Sequence, residues 1–99
     1  MNPYVQRLDL YDDIDALQSS IGRMEAEKND IYFQIRMIEG QIDYFRRNPL
    51  AGEIERLEIH KAMLNGRYLE VQGKIGEKHA ELRRKRAEVA QLDRDRDRG

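Results

Sequence analysis

The side chains best suited to metal or acid–base chemistry in this sequence are two histidines, His60 and His79, nineteen residues apart. If both lie on one helix, a rise of ~1.5 Å per residue separates them by ~28 Å, too far to bind one metal ion. Residues 58–61 offer no second ligand one helical turn from His60. Ser19 and Ser20 have no His or Asp at a spacing that would activate a hydroxyl. These residues therefore predict neither a catalytic site nor a metal site.

Motifs that bind nucleotides or metals are also absent. The chain contains no Walker A motif, no G-x-G-x-x-G, no H-E-x-x-H and no calcium-loop pattern. It has no cysteine, which excludes disulfides and thiolate metal sites. The sequence thus predicts a non-enzymatic protein with no cofactor and no small-molecule substrate.

A short basic run is the remaining candidate for binding chemistry. Arg83, Arg84, Lys85 and Arg86 place four cations on about one helical turn, within a segment 74–99 that carries nine positive and six negative charges. Such a segment can contact the phosphates of nucleic acid. Acidic residues interleave with it, however, no aromatic residue stands nearby to stack on bases, and the whole chain has a net charge of −1. Nucleic-acid binding by this run is therefore the alternative interpretation.

The elements that would position these residues are long helices with an apolar seam. From Leu10 to Phe45, apolar residues recur at intervals of four and three over five heptads, and Lys28 is the single polar exception. This period is typical of a helix packed lengthwise on another helix. Charged residues make up 37 % of the chain, which also favours a coiled coil over a thick globular core. A lone Lys in such a seam sets the register at a cost in stability.

A second, weaker seam runs from Leu50 to Leu92 and contains Lys61, Lys78 and Lys85. Between the seams, Asn48 precedes Pro49, which disfavours the α conformation at Asn48 and allows its side chain to cap a new helix. Continuing the first heptad would place Pro49 in the seam. We therefore interpret the interruption as a reversal of the chain rather than as a kink in one long helix.

The predicted fold is all-α, an extended antiparallel two-helix hairpin (a coiled coil) that forms a single domain over residues 1–99. We place helix 1 at about 4–46, the turn at about 47–49, helix 2 at about 50–93 and a frayed tail at 94–99. Because two helices close no core on all sides, we expect self-association or a partner.

The charge distribution favours the hairpin. Helix 1 carries an acidic block at 9–15, and helix 2 carries the basic run at 83–86. Reversal of the chain brings the two together, whereas a straight parallel dimer would place like charges side by side. Exposed ion pairs contribute only ~0–1 kcal/mol each, so they support this topology without driving it.

Two further stripes, away from the seams, predict a protein interface. The stripe on helix 2 consists mostly of small residues: Ile59, Ala62, Gly66, Leu69, Gly73, Gly76 and Ala80. Each exposed helical Gly costs ~1 kcal/mol relative to Ala, which is typical where another chain approaches closely. The stripe on helix 1 has large residues: Phe33, Met37 and Tyr44. We predict that two hairpins pack these faces into a four-helix bundle, although scattered surface apolar residues are also common.

A cysteine-free hairpin of this length resembles, in architecture, the small Trp-x-Gly proteins exported by some bacteria. Their signature Trp at the turn is replaced here by the segment 48–52, so the resemblance rests on length and shape. A small exported helical-hairpin protein or a secretion chaperone therefore stays open as an alternative function.

The function predicted from the sequence is that of a non-enzymatic coiled-coil scaffold, adaptor or assembly factor. It would act through protein–protein contacts, as a homodimer or on a larger protein partner. The sequence has no secretory signal pattern and no apolar run of ~18 residues, so we expect a cytoplasmic protein that does not engage a membrane.

Overall fold

The computed structural model describes residues 3–98, which form two helices. Helix α1 spans Pro3–Arg47 and helix α2 spans Glu53–Arg98. The prediction of an all-α, antiparallel two-helix hairpin is confirmed, and the described residues contain no strand. No cis peptide bond occurs within them.

The hairpin divides into two compact units. The terminal unit combines Met1–Met24 with Lys74–Gly99, and the turn unit is Glu25–Gly73. Each unit contains one segment of α1 and one segment of α2, so each has its own part of the apolar seam.

The chain reverses through a tight turn rather than through a helix cap at Asn48. The Asn48 backbone N–H donates to the carbonyl oxygen of Tyr44 at 2.9 Å, and its side-chain amide reaches the same oxygen at 3.3 Å. Next, the Glu53 N–H donates to the Leu50 carbonyl at 3.2 Å. Gly52 lies between them with a φ of 77°, a left-handed conformation that favours glycine in this type of turn.

The boundaries of α2 consequently differ from the predicted ones. Asn48 closes α1 instead of capping α2, so α2 begins at Glu53 rather than near residue 50. Leu50, predicted as the first residue of the second seam, therefore lies in the turn and is 59 % exposed. At its other end, α2 continues through residues 94–98, which were predicted to fray. Side-chain pairs one turn apart stabilise this end: Arg94 donates to Gln91 at 2.6 Å, and Gln91 donates to Asp95 at 2.9 Å. Gly99, the last residue of the predicted tail, lies outside the described residues.

The seam of the terminal unit forms one apolar cluster. Its buried members come from both helices, and Leu92 packs against them: Leu10, Ile14, Leu17, Ile21, Leu82 and Val89. Every one of these residues occupies a seam position in the sequence. The intervals of four and three therefore identified the packed face correctly.

The seam of the turn unit is buried more deeply. Its buried residues are Ile31, Ile35, Ile38, Ile42, Leu57, Leu64 and Val71. Ile31 is the most enclosed, with 1 % of its surface exposed. No polar or charged residue is buried among the described residues, so the seam is held by apolar packing alone.

The lysines in the seam are half-buried, and their ammonium groups lie beside partly exposed carboxylates. Lys28 Nζ lies 3.6 Å from Glu25 Oε2 and 5.9 Å from the ring centroid of Tyr68. Lys61 Nζ lies 3.6 Å from Glu39 Oε1 on the facing helix. This arrangement keeps each charge hydrated while the methylene stem covers apolar surface.

Replacing Lys28 with Leu should raise the free energy of unfolding by about 1 kcal/mol. Burial of a Leu side chain is worth ~1.5–3 kcal/mol, which exceeds the ~0–1 kcal/mol of an exposed ion pair and the ~0.5–1 kcal/mol of a cation–π contact. Urea denaturation followed by circular dichroism measures the change. The control is Gln34→Leu, at an exposed position on the same helix. A Lys28→Leu chain no more stable than the parent would show that Lys28 contributes more than its partners indicate.

Candidate protein-binding surface

The first candidate surface is the outer side of α1 in the turn unit. We call Phe33, Met37, Gly40 and Tyr44 the α1 face. Its three large residues are 65 %, 67 % and 59 % exposed, in chain order. Phe33 lies two residues after Ile31 and two residues before Ile35, and both isoleucines are buried in the seam. At 3.6 residues per turn, this spacing places Phe33 on the side of α1 opposite the seam. The α1 face therefore points away from α2.

The second candidate surface is the outer side of α2 in the same unit. We call Ile59, Ala62, Gly66, Leu69 and Gly73 the α2 face. Ile59 and Leu69 are each 65 % exposed, and the intervening residues are small. A Cβ atom added at Gly66 or Gly73 would meet nothing within 4 Å. The hairpin itself thus gives no packing reason for glycine at these two positions.

The two faces lie on opposite sides of the turn unit. Each stripe is on the side of its helix remote from the seam, and the seams of the two helices face each other. A second hairpin that covers the α1 face of one molecule therefore leaves the α2 face of that molecule uncovered. Pairing of two hairpins into a four-helix bundle stays a prediction. In such a pair, each molecule can use only one of its two faces.

Aromatic contacts hold two large residues of the α1 face in place. The rings of Tyr32 and Phe33 meet edge to face, with centroids 6.0 Å apart and planes at 69°. Tyr44 contacts Phe45 in the same manner, at 5.2 Å and 80°. Edge-to-face pairs are a favoured aromatic geometry. The exposed rings are therefore partly ordered before any partner binds.

Charged pairs flank both faces near the turn. Arg46 Nη1 lies 3.6 Å from Asp43 Oδ1 on α1. On α2, Arg56 donates a hydrogen bond of 2.6 Å to Glu53, and this bond lowers the pKa of the Glu53 carboxyl below its usual value. These pairs are exposed, so they can exchange partners at little cost.

Some exposed apolar residues were missed by the sequence reasoning. Met63, which is 65 % exposed, lies beside the α2 face and is one helical turn from both Ile59 and Gly66. Its spacing would have identified it, because it occurs four residues after Ile59. In the terminal unit the exposed large apolar residues all lie near the start of α1: Tyr4, Val5, Leu8 and Tyr11. Gly76, a predicted interface residue, is exposed in the terminal unit and therefore lies outside the α2 face as defined here.

The basic run is mostly exposed. Arg83, Arg84 and Arg86 lie at the surface, whereas Lys85 is half-buried and its Nζ is 3.4 Å from Asp13 Oδ2. Within the described residues, the ion pair between Lys85 and Asp13 is the contact that joins the acidic block to the basic run, as predicted. The ion pair between Arg7 and Asp93 adds a contact of the opposite polarity between the same two helices.

The described residues hold no obvious site for a small ligand. His60 and His79 are both exposed, and no group of three or more His, Asp or Glu residues within 3–98 could hold a metal ion. An open groove between the helices of the terminal unit is lined by six residues: Gln6, Asp9, Leu10, Glu88, Gln91 and Leu92. Across the same range, neither helix has a stretch apolar enough to traverse a bilayer.

No family of proteins, no curated protein and no solved structure matches this chain. A proposal about its function must therefore be argued from its surfaces. In the turn unit, the α1 face and the α2 face carry five of the seven large apolar side chains that are more than half exposed.

Proposed function

We propose that this chain is a non-enzymatic scaffold or adaptor that acts through protein–protein contacts made by the α1 face and the α2 face. One observation carries the proposal. Seven large apolar side chains of the turn unit are between 59 % and 67 % exposed, although its seam is already filled. Leu50 lies in the turn, and the other six lie on or beside the two faces: Phe33, Met37, Tyr44, Ile59, Met63 and Leu69. A cytoplasmic location is part of the proposal.

These exposed apolar side chains lie outside the seam, at positions where the packing of the two helices does not require apolar residues. In the terminal unit, the outer side of α2 carries Gly76, Ala80 and Arg83, and no large apolar side chain of residues 74–96 is exposed. The same seam geometry therefore forms without large apolar side chains on the outer side of α2. Contiguous exposed apolar patches are typical of surfaces that bind other proteins.

Covering all six side chains would release about 6–12 kcal/mol, which is comparable with the cost of association. Each large side chain that is about two-thirds exposed gains roughly 1–2 kcal/mol when it is buried. Association itself costs about 4–15 kcal/mol. Stable binding thus requires most of the six side chains to be covered together, which favours a partner that packs along the helix.

A partner would also stabilise the hairpin. Two helices bury only one stripe each, and so small a core gives marginal stability. A protein that binds only the folded state raises stability by mass action. Folding and binding are therefore coupled in this proposal.

Site-specific photocrosslinking in cells that express the chain tests the proposal. A benzophenone amino acid at Phe33 or Leu69 should give covalent adducts with protein. The same group at Gln34, which is exposed on α1 outside the α1 face, is the control and should give few adducts. Equal yields from all three positions, or none, would contradict the proposal.

Association with nucleic acid through the basic run is a second candidate, because Arg83, Arg84 and Arg86 are exposed. The pair between Lys85 and Asp13 reduces the local positive charge. If this candidate were correct, retention on duplex DNA would fall steeply as the salt concentration rises from 0.05 to about 0.2 M. The scaffold proposal expects negligible retention at about 0.15 M salt, near the physiological value.

A further inference from the structure

The α1 face and the α2 face have matched spacing in opposite chain directions. On the α1 face, Phe33, Met37 and Gly40 are separated by four and then three residues, in the size order large, large, small. On the α2 face, the same intervals counted from Gly66 towards the N-terminus reach Ala62 and then Ile59. Their size order is small, small, large. Antiparallel packing of one face on the other therefore sets three of the five large residues against small ones: Phe33 on Gly66, Met37 on Ala62 and Ile59 on Gly40.

We propose that the protein partner is a second copy of this chain, whose α2 face packs antiparallel on the α1 face of the first. This inference rests on the proposed function and names its partner. Because the two faces lie on opposite sides of the turn unit, the contact is head to tail: the second copy presents a free α1 face to a third. Contacts of this type form rings or open filaments rather than closed dimers.

The register within the hairpin agrees with a copy placed directly alongside. In the turn unit, Glu27 lies 4.0 Å from Arg67, and Glu39 lies 3.6 Å from Lys61. Phe33 falls midway between the two glutamates on α1, and Gly66 falls between their partners on α2. The two residues thus lie within about one helical turn, ~5.4 Å, of the same height. A second copy displaced sideways, without a large shift along the helix axis, therefore brings its Gly66 to Phe33.

Charge complementarity supports the same register. Continuing it by one step places Asp43 of one copy opposite Arg56 of the next, and Tyr44 opposite Glu55. Asp43 and Arg56 carry opposite charges, and the Tyr44 hydroxyl can donate a hydrogen bond to the Glu55 carboxylate. In the single chain Asp43 is paired with Arg46, and Arg56 with Glu53, so stacking would join two exposed ion pairs into one network.

The area available at each contact favours repetition. The six exposed apolar side chains meet at one contact, three from each copy, and together offer about 600 Å² of apolar surface at about 100 Å² each. With a typical apolar share of about 60 %, the contact buries about 1,000 Å² in total, at the low end for protein interfaces. An interior copy in a stack makes two such contacts. A pair alone is therefore weakly held, and association should increase with concentration without a plateau at the dimer.

Two variants that each block one face test the inference by sedimentation. Met37→Glu places a charge in the α1 face, and Ile59→Glu places one in the α2 face; both positions are exposed, so the hairpin remains folded. The parent chain should show a mass that rises with concentration beyond twice 11.8 kDa. Each variant alone should stay at the mass of one chain. An equimolar mixture should form a capped dimer, because each variant keeps the face that the other lacks.

The contrary outcomes are distinct. If the Met37→Glu chain dimerises alone, the α2 face pairs with itself; if the Ile59→Glu chain dimerises alone, the α1 face does. Either result overturns the head-to-tail contact and leaves the proposed function intact. A parent chain that remains a monomer at all concentrations overturns self-association, and adducts of that chain with another protein at Phe33 would still support the proposed function. Gln34→Glu, outside both faces, is the control and should associate like the parent.

Discussion

Replacing Ile31 with Ala lowers the free energy of unfolding by about 2–5 kcal/mol. Ile31 is the most deeply buried side chain of the described residues, with 1 % of its surface exposed. Its truncation removes apolar burial and leaves a cavity in a seam that has no second layer to collapse into it. A chain of 99 residues has a total stability of roughly 5–15 kcal/mol, so this change is a large part of the whole. Urea denaturation followed by circular dichroism, at a concentration where the chain is monomeric, measures the loss.

Phe33→Ala is the matched control for this prediction. Phe33 is only two residues from Ile31 but is 65 % exposed on the α1 face. Its truncation should change the stability of the monomer by no more than about 0.5 kcal/mol. It should nevertheless weaken self-association, because the aromatic side chain that packs on Gly66 of the next copy is lost. Equal destabilisation by the two substitutions would show that the outer side of α1 is packed within the hairpin.

Replacing Gly66 and Gly73 together with Ala raises the stability of the monomer by about 2 kcal/mol. Each glycine costs ~1 kcal/mol relative to Ala inside an exposed helix. A Cβ atom at either position meets nothing within 4 Å, so the gain is not offset by a clash. Thermal and urea denaturation of the double variant at low concentration measure the effect.

Gly52→Ala is the control for the helical glycines, and it should lower the stability of the monomer instead of raising it. Gly52 has a φ of 77°, which costs an Ala residue ~1–2 kcal/mol. The double variant should also associate less than the parent, because a methyl group at residue 66 then occupies the position that Phe33 of another copy approaches. A double variant with unchanged stability and unchanged association would contradict the interpretation that these glycines serve an interface.

The packed face of each helix could be predicted from the sequence because it depends only on periodicity. The intervals of four and three from Leu10 to Phe45 assign each apolar residue to one side of a helix. In the structure these residues are buried or half-buried, and Lys28 lies among them with its charge directed outward. Periodicity follows from the geometry of the helical backbone, so the packed face can be predicted without knowledge of any side-chain conformation.

The turn could not be placed correctly because two local signals compete there. Asn48 before Pro49 is a suitable start for a helix, and Gly52 is a suitable turn residue three positions later. In the structure the Asn48 side chain bonds backward to Tyr44, so the second signal determines where α2 begins. Which signal prevails depends on hydrogen bonds that the sequence alone does not specify.

The candidate surface was only partly accessible from the sequence. The stripes of the α1 face and the α2 face follow from spacing, as the seams do. Their position on opposite sides of one unit follows only once each helix is seen packed by its seam. The partners of long side chains were harder still to predict: the Glu39 carboxylate lies 3.4 Å from Arg36 on its own helix and 3.6 Å from Lys61 on the facing helix. Flexible side chains choose among several neighbours within one helical turn.

Disulfide trapping between copies tests the head-to-tail stack most directly, because the chain has no cysteine of its own. A chain carrying Phe33→Cys is mixed with a chain carrying Gly66→Cys under oxidising conditions, and Gly40→Cys is mixed with Ile59→Cys in the same way. Disulfides need Cα atoms within about 7 Å, so each reports a specific register. We predict that both mixtures give a crosslinked species at twice 11.8 kDa and that each variant alone gives little. Efficient crosslinking of a variant with itself, and none between the variants, would contradict the stack.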